Sequence, residues 1–135
     1  MYFERVKKYL NNKENFALHN GLVVTVIKEK YSEVEAEITP NGLNPQGMAH
    51  GGLIFTLCDV ATGVAAVSTG RAVLTLNSSI NFLAPGRGKK LRAVGECIKD
   101  GRTIGLFEAR VYDESDKLIA KGDFTIFYTG DFIPE

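Results

Sequence analysis

Residues 22–29 are rich in β-branched side chains and predict a strand. The stretch from Tyr31 to Ile38 alternates. Val34, Ala36 and Ile38 fall on one side and Glu33, Glu35 and Glu37 on the other, as in a strand with one face in water. Upstream, Phe3, Val6, Tyr9 and Leu10 recur at helical spacing and predict a short amphipathic helix over residues 2–12. Residues 41–52 gather Asn, Gly and Pro at short intervals and predict a loop.

The period then changes. Leu53, Leu57, Val60, Val64 and Val67 form one stripe of a helix predicted over residues 51–69, and Ile54, Cys58, Ala61 and Ala65 cover the opposite side. A helix apolar nearly all round is buried on most faces. One narrow face remains, with Gly52, Phe55, Thr56, Asp59, Thr62, Gly63 and Ala66, and a single carboxylate in its middle. Four strands follow, over 72–83, 90–98, 103–112 and 118–127. The first ends at Pro85-Gly86, Asp100-Gly101 predicts a tight turn, and residues 113–117 form a polar turn. Consecutive strands with short turns pair antiparallel. One apolar helix with one such sheet predicts an α+β fold in which an antiparallel β-sheet wraps a long central α-helix.

The length, 135 residues, suits one domain spanning the chain. Hydrophobic residues make up 44%, which excludes disorder. Sixteen basic and sixteen acidic residues cancel, so the basic excess of a nucleic-acid binder is missing. Cys58 and Cys97 stand too far apart for a zinc pattern or a disulfide framework and predict free thiols in a reducing cytoplasm. The N-terminus lacks the apolar run of a signal peptide. The most apolar stretch, 53–67, is too short for a bilayer and carries Asp59, so no membrane association is expected.

The chemistry concentrates in Asn44-Pro45-Gln46-Gly47-Met48-Ala49-His50-Gly51-Gly52, followed by Asp59. A Gly-rich loop here leads into a helix N-terminus, where first-turn amides lack intrahelical partners and favour an anion or a developing oxyanion. Glycine lets a carbonyl approach the backbone closely. About two turns on, Asp59 lies in an apolar helix, where a carboxylate is costly unless partnered or used.

This constellation resembles the PaaI-like branch of the hotdog-fold acyl-CoA thioesterases, which carry an HGG motif before the central helix. The likeness covers roughly residues 20–129 and includes Asn81-Phe82-Leu83-Ala84-Pro85-Gly86 and Lys99-Asp100-Gly101-Arg102. It implies hydrolysis of an acyl- or aryl-CoA to acid and CoA without metal or bound cofactor, the CoA being part of the substrate. Asp59 matches the catalytic carboxylate, base or nucleophile, and the Gly51 N–H the oxyanion donor. Asn44 matches a residue that helps bind the thioester carbonyl. His50 is placed near the thioester sulfur or braces the loop, and Thr75 matches a hydroxyl that orients water. In that family the carboxylate comes from the neighbouring subunit, so a homo-oligomer, dimer or tetramer, is implied. Arg87, Lys89, Lys90, Lys99 and Arg102 are candidates by position for the CoA phosphates.

Plainer readings exist for the same residues. Asp59 is explained structurally if Thr56 or Thr62 caps it, Gly51 and Gly52 if they relieve crowding, and Asn44 as a turn residue. Thr75 is also a good strand former, and the basic cluster 87–90 also reads as a solvated turn. Two other functions fit a hotdog domain: an acyl-CoA-binding module without turnover, and a dehydratase or hydratase. No helix-turn-helix segment favours the first, and no second His near His50 favours the second.

Overall fold

The computed structural model describes residues 1–134. Helix α1 spans Tyr2–Asn12 and a short α2 spans Phe16–His19. Strands β1 (Leu22–Lys28) and β2 (Tyr31–Glu37) precede the central helix α3 (Gly51–Val67). Strands β3 (Arg71–Phe82), β4 (Lys90–Asp100), β5 (Ile104–Tyr112) and β6 (Leu118–Asp131) complete the chain. All six strands form one antiparallel sheet in the order β1-β2-β4-β5-β6-β3, and α3 lies against its inner face.

The predicted elements are present, with shifted bounds. Strand β6 runs four residues beyond the predicted end at Phe127, because it pairs with β3 as far as Asp131 opposite Arg71. Strand β4 extends to Asp100, which pairs with Gly105, so the hairpin loop is longer than the two-residue turn predicted at Asp100-Gly101. Helix α2 was not predicted. Its four residues are too few to show a period, and Asn15 makes it a helix by accepting from the Leu18 N–H at 3.0 Å.

Helix α3 approaches the sheet closely. Ala61 is fully buried, and its carbonyl accepts from the buried Ser32 hydroxyl on β2 at 2.7 Å. Gly95 on β4 faces the same carbonyl, and a Cβ there would collide with Ala61 backbone. Inner-face positions of the sheet, including Leu91, Ala93, Phe107, Ala109, Phe124 and Ile126, join Leu57, Cys58 and Ala61 in one core.

The two sheet edges are treated differently. β1 carries a bulge at Thr25, and the Asn11 amide of α1 occupies its edge: Nδ2 donates to Val24 O at 2.8 Å and Oδ1 accepts from Val24 N at 2.9 Å. β3 is twelve residues long, with exposed Leu74, Leu76 and Phe82. Near the C-terminal end of α3, Arg71 and Tyr128 both donate to Asp100 Oδ1, at 2.6 and 2.7 Å, tying the start of β3 to β4 and β6. Burial alone would raise the Asp100 carboxyl, but these two bonds outweigh it and hold the group below its usual range.

The helix–sheet contact gives the first prediction. Gly95→Ala must push α3 off the sheet, and chemical denaturation should show a loss of roughly 1–3 kcal/mol or more. An unchanged midpoint would mean that the helix has room to spare at Ala61.

Candidate functional site

The loop before α3 is held by short-range bonds. Asn44 Oδ1 accepts from the N–H groups of Gln46 and Met48 at 2.9 and 3.1 Å, and Asn44 N donates to Met48 O at 2.7 Å. Gly47, at the tip, has φ +82°, a conformation that favours glycine. No partner for the Asn44 Nδ2 group is found among the described residues, so it is available to an outside acceptor.

His50 is the N-cap of α3. Its Nδ1 accepts from Gly52 N–H at 2.8 Å, and its carbonyl accepts from Leu53 and Ile54. This is the loop-bracing alternative, and it requires a lone pair on Nδ1. The neighbouring Gly51 N–H has no acceptor among the described residues. Gly51 and Asn44 line one cleft of about 400 Å³ with Met48, Ile54, Phe82 and Pro85. A Cβ at Gly51 would rest 3.5 Å from the Phe82 ring, so the glycine sets how closely a carbonyl can approach.

Asp59 lies half-exposed on the side of α3 opposite Ala61 and its contact with β2 and β4. Its Oδ1 accepts a 2.7 Å hydrogen bond from the Thr75 hydroxyl on β3. Thr75 pairs with buried Ile126 and so points to the helix side of the sheet. The bulge at Leu76 immediately follows, a placement typical beside functional side chains. The other hydroxyls proposed as caps bond elsewhere: Thr62 to the carbonyls of Cys58 and Asp59, Thr56 to the carbonyl of Gly52. Next to Asp59, Cys58 is buried in the core, and burial, with the Asp59 charge second, pushes its thiol up to about 12. It stays neutral and inert.

Thr62 and Ala66 depart from the expected small-residue face. Both are buried, because the sheet curls round to β3 and covers that side, leaving Gly52, Thr56, Asp59 and Gly63 as the open face. The basic candidates divide. Arg87, Lys89 and Lys90 sit at the end of β4 near the cleft, whereas Lys99 and Arg102 lie at its other end, about 30 Å away at 3.3 Å per residue. Lys90 pairs with Glu35 at 3.3 Å. One chain therefore cannot bring both groups to a single phosphate cluster. Sequence reasoning missed the capping role of His50, for which His before Gly-Gly is a weak signal beside Ser or Asn.

The Thr75–Asp59 pair and the Asn44–Gly51 cleft do not meet within the chain. Eight residues of α3 separate Gly51 from Asp59, about 12 Å along the axis.

An antiparallel sheet around one buried central helix is the architecture of the hotdog fold. The chain belongs to the Thioesterase superfamily, whose family model matches residues 46–120. It is 30% identical to the acyl-coenzyme A thioesterase PaaI of Escherichia coli over 79% of each chain. Its fold superposes on the solved E. coli PaaI with a TM-score of 0.89, at 24% identity over 96% of this chain and 94% of that one. A Streptococcus mutans protein solved with acetyl CoA is 35% identical, with a TM-score of 0.83, over 91% of this chain and all of that one. A hypothetical thioesterase of Streptococcus pneumoniae solved with coenzyme A is 32% identical, with a TM-score of 0.79, over 84% of this chain and 92% of that one. That protein has also been solved with an aspartate and with a threonine each changed to alanine, at positions whose numbers differ by 16.

The cap gives the second prediction. His50→Ala should destabilise the protein by about 0.5–2 kcal/mol, and His50→Asn, which keeps an acceptor, by much less. Thermal unfolding of the two variants checks this. Equal losses would show that the Nδ1 acceptor is not what matters.

Proposed function

We propose that this chain hydrolyses acyl-CoA thioesters in a homo-oligomer, with Asp59 and Thr75 of one copy acting on a thioester held by Asn44 and Gly51 of another. The carrying observation is the distance of about 12 Å along α3 between the two halves, too great for one small reacting group. The unprotected β3 edge supports this reading. An open strand with exposed Leu74 and Leu76 is a template for a second strand, whereas the β1 edge is closed by Asn11. Two-fold pairing of β3 with its copy reverses the second α3, turning its open face and Asp59 toward the start of the first. It also brings the partner's hairpin end of β4 toward the cleft, so Lys99 and Arg102 of one copy and Arg87 and Lys89 of the other can share one CoA. The relative with an aspartate and a threonine altered sixteen positions apart has the spacing of Asp59 and Thr75.

The Thr75 hydroxyl occupies Oδ1 of Asp59, leaving Oδ2 for a water. In the general-base route, water attacks the thioester carbon as its proton passes to Asp59. The Gly51 N–H and the Asn44 amide hold the oxyanion at the helix N-terminus. The tetrahedral adduct then reforms C=O and breaks the C–S bond, and the CoA thiolate takes the proton from Asp59. In the nucleophilic route, Asp59 attacks first, expelling the thiolate to give a mixed anhydride that water then cleaves. No metal or bound cofactor enters either route.

Asp59→Asn should lower turnover by about 10²–10⁴-fold with fold and oligomer intact, read by release of free CoA thiol. A variant with wild-type turnover would remove Asp59 from the chemistry. The divided site makes a sharper prediction. Asp59→Asn and Asn44→Ala proteins, each impaired, should recover about a quarter of wild-type activity once subunits exchange at equal ratio, because mixed dimers hold one intact site. No recovery despite demonstrated exchange would place the whole site in one chain.

A further inference from the structure

Beneath the two N-terminal helices lies a cavity of about 180 Å³, walled by Leu10, Ala17, Leu22, Val24, Val34, Val60 and Val64 together with Asn11 and Asn15. Both asparagine amides are engaged elsewhere: Asn11 with the backbone of Val24, Asn15 with Leu18 N–H and the carbonyls of Leu10 and Lys13. Leu22, Val24, Val34 and Val64 are buried in the core. The pocket opens to solvent at one side and its walls are mostly apolar. A space of about 150 Å³ lined in this way is large enough for a benzene ring. Its lining therefore suits an apolar group, which leaves water on entering.

The position of the cavity says which one. Val60 follows Asp59 directly on α3, so at 3.6 residues per turn their side chains leave the helix about 100° apart. Asp59 points toward β3, and Val60 points under α1 and α2. The surface between them carries Thr56 and Gly63, and a Cβ at Gly63 would meet nothing within 4 Å. An open shelf thus runs from the carboxylate to the cavity.

Resting on the thioesterase reading above, we infer that this cavity receives the apolar end of the acyl group, passing from the carbonyl at Asp59 across Gly63 and under α2. The substrate class is a thioester whose acyl end is an unsubstituted ring or a short alkyl tail. The polar groups needed to recognise a hydroxyl or a charge there are already bonded. The α1–α2 pair is the roof of a specificity pocket, and Ala17 is its residue most easily enlarged inward.

The test compares a series of straight-chain acyl-CoAs, from acetyl to decanoyl, and benzoyl-CoA by kcat/KM. Wild type should prefer the medium members over acetyl-CoA. Ala17→Leu, which fills the cavity, should lower the ratio of octanoyl to acetyl kcat/KM at least about ten-fold, as for a lost apolar contact. Val64→Ala, which enlarges it, should move the optimum to longer chains. Unfolding curves identify any variant that fails to fold, and the other then decides. Cleavage by wild type with a chain-length profile unmoved by either change overturns the pocket and leaves the thioesterase reading standing. Cleavage of no thioester by wild type overturns that reading, and the pocket assignment with it.

Discussion

The contact of Ala61 with the sheet governs the rest of this molecule. The Ser32 hydroxyl binds the Ala61 carbonyl, and Gly95 withholds a side chain so that the helix backbone can come down onto β4. Once Ala61 is fixed against the sheet, the geometry of α3 leaves little choice for its neighbours. Asp59, two residues earlier, must lie on the far side, and Cys58 must lie in the core. The carboxylate is half-exposed because a residue on the opposite side is buried, and Thr75, held inward opposite Ile126, is where the acid finds a side-chain partner.

The second constraint is the inequality of the sheet edges. An open edge invites pairing, and a chain commonly blunts it with bulges, charges or a covering element. β1 has a bulge and the Asn11 amide, but β3 has twelve residues and apolar side chains in water. The edge left open is the one that carries Thr75. The proposed division of the catalytic groups along α3, with one half beside an open strand, would be closed by pairing of that strand with a copy of itself. The distribution of cations along β4 leads to the same arrangement.

Much of this was legible in the chain. The all-round apolar pattern of residues 51–67 gave the buried helix, and Asp59 stood out because a carboxylate in so apolar a helix needs a partner or a use. Thr75 could be reached through the family likeness alone, since strand propensity explains a threonine equally well. Three features were not legible, each for a physical reason. The capping role of His50 depends on which ring nitrogen meets Gly52, a matter of rotamer rather than residue type. Thr62 and Ala66 were placed on the open face because helical periodicity gives an angle, not what lies at that angle, and the sheet curls further than the pattern can show. Lys99 and Arg102 were grouped with Arg87, Lys89 and Lys90 as phosphate candidates, yet a strand of eleven residues carries them to the other end of the sheet.

The proposed division of the site also changes what assembly would contribute. In the single chain, the Gly51 amide and the Asp59 carboxylate both face water, which weakens any hold on an oxyanion. In the proposed dimer, a second copy covering the open face of α3 would supply the low-dielectric enclosure that gives such a hold its strength. Substrate spanning the two copies of that dimer would bind the assembled state and not the separated one, and by mass action would tighten the association. In the proposed dimer the small residues Gly52 and Thr56 would leave room for the second copy, beside the Gly63 surface assigned to the acyl group. Larger side chains there would hold the second helix away, and the acid and the amide would stay apart however firmly the β3 edges paired.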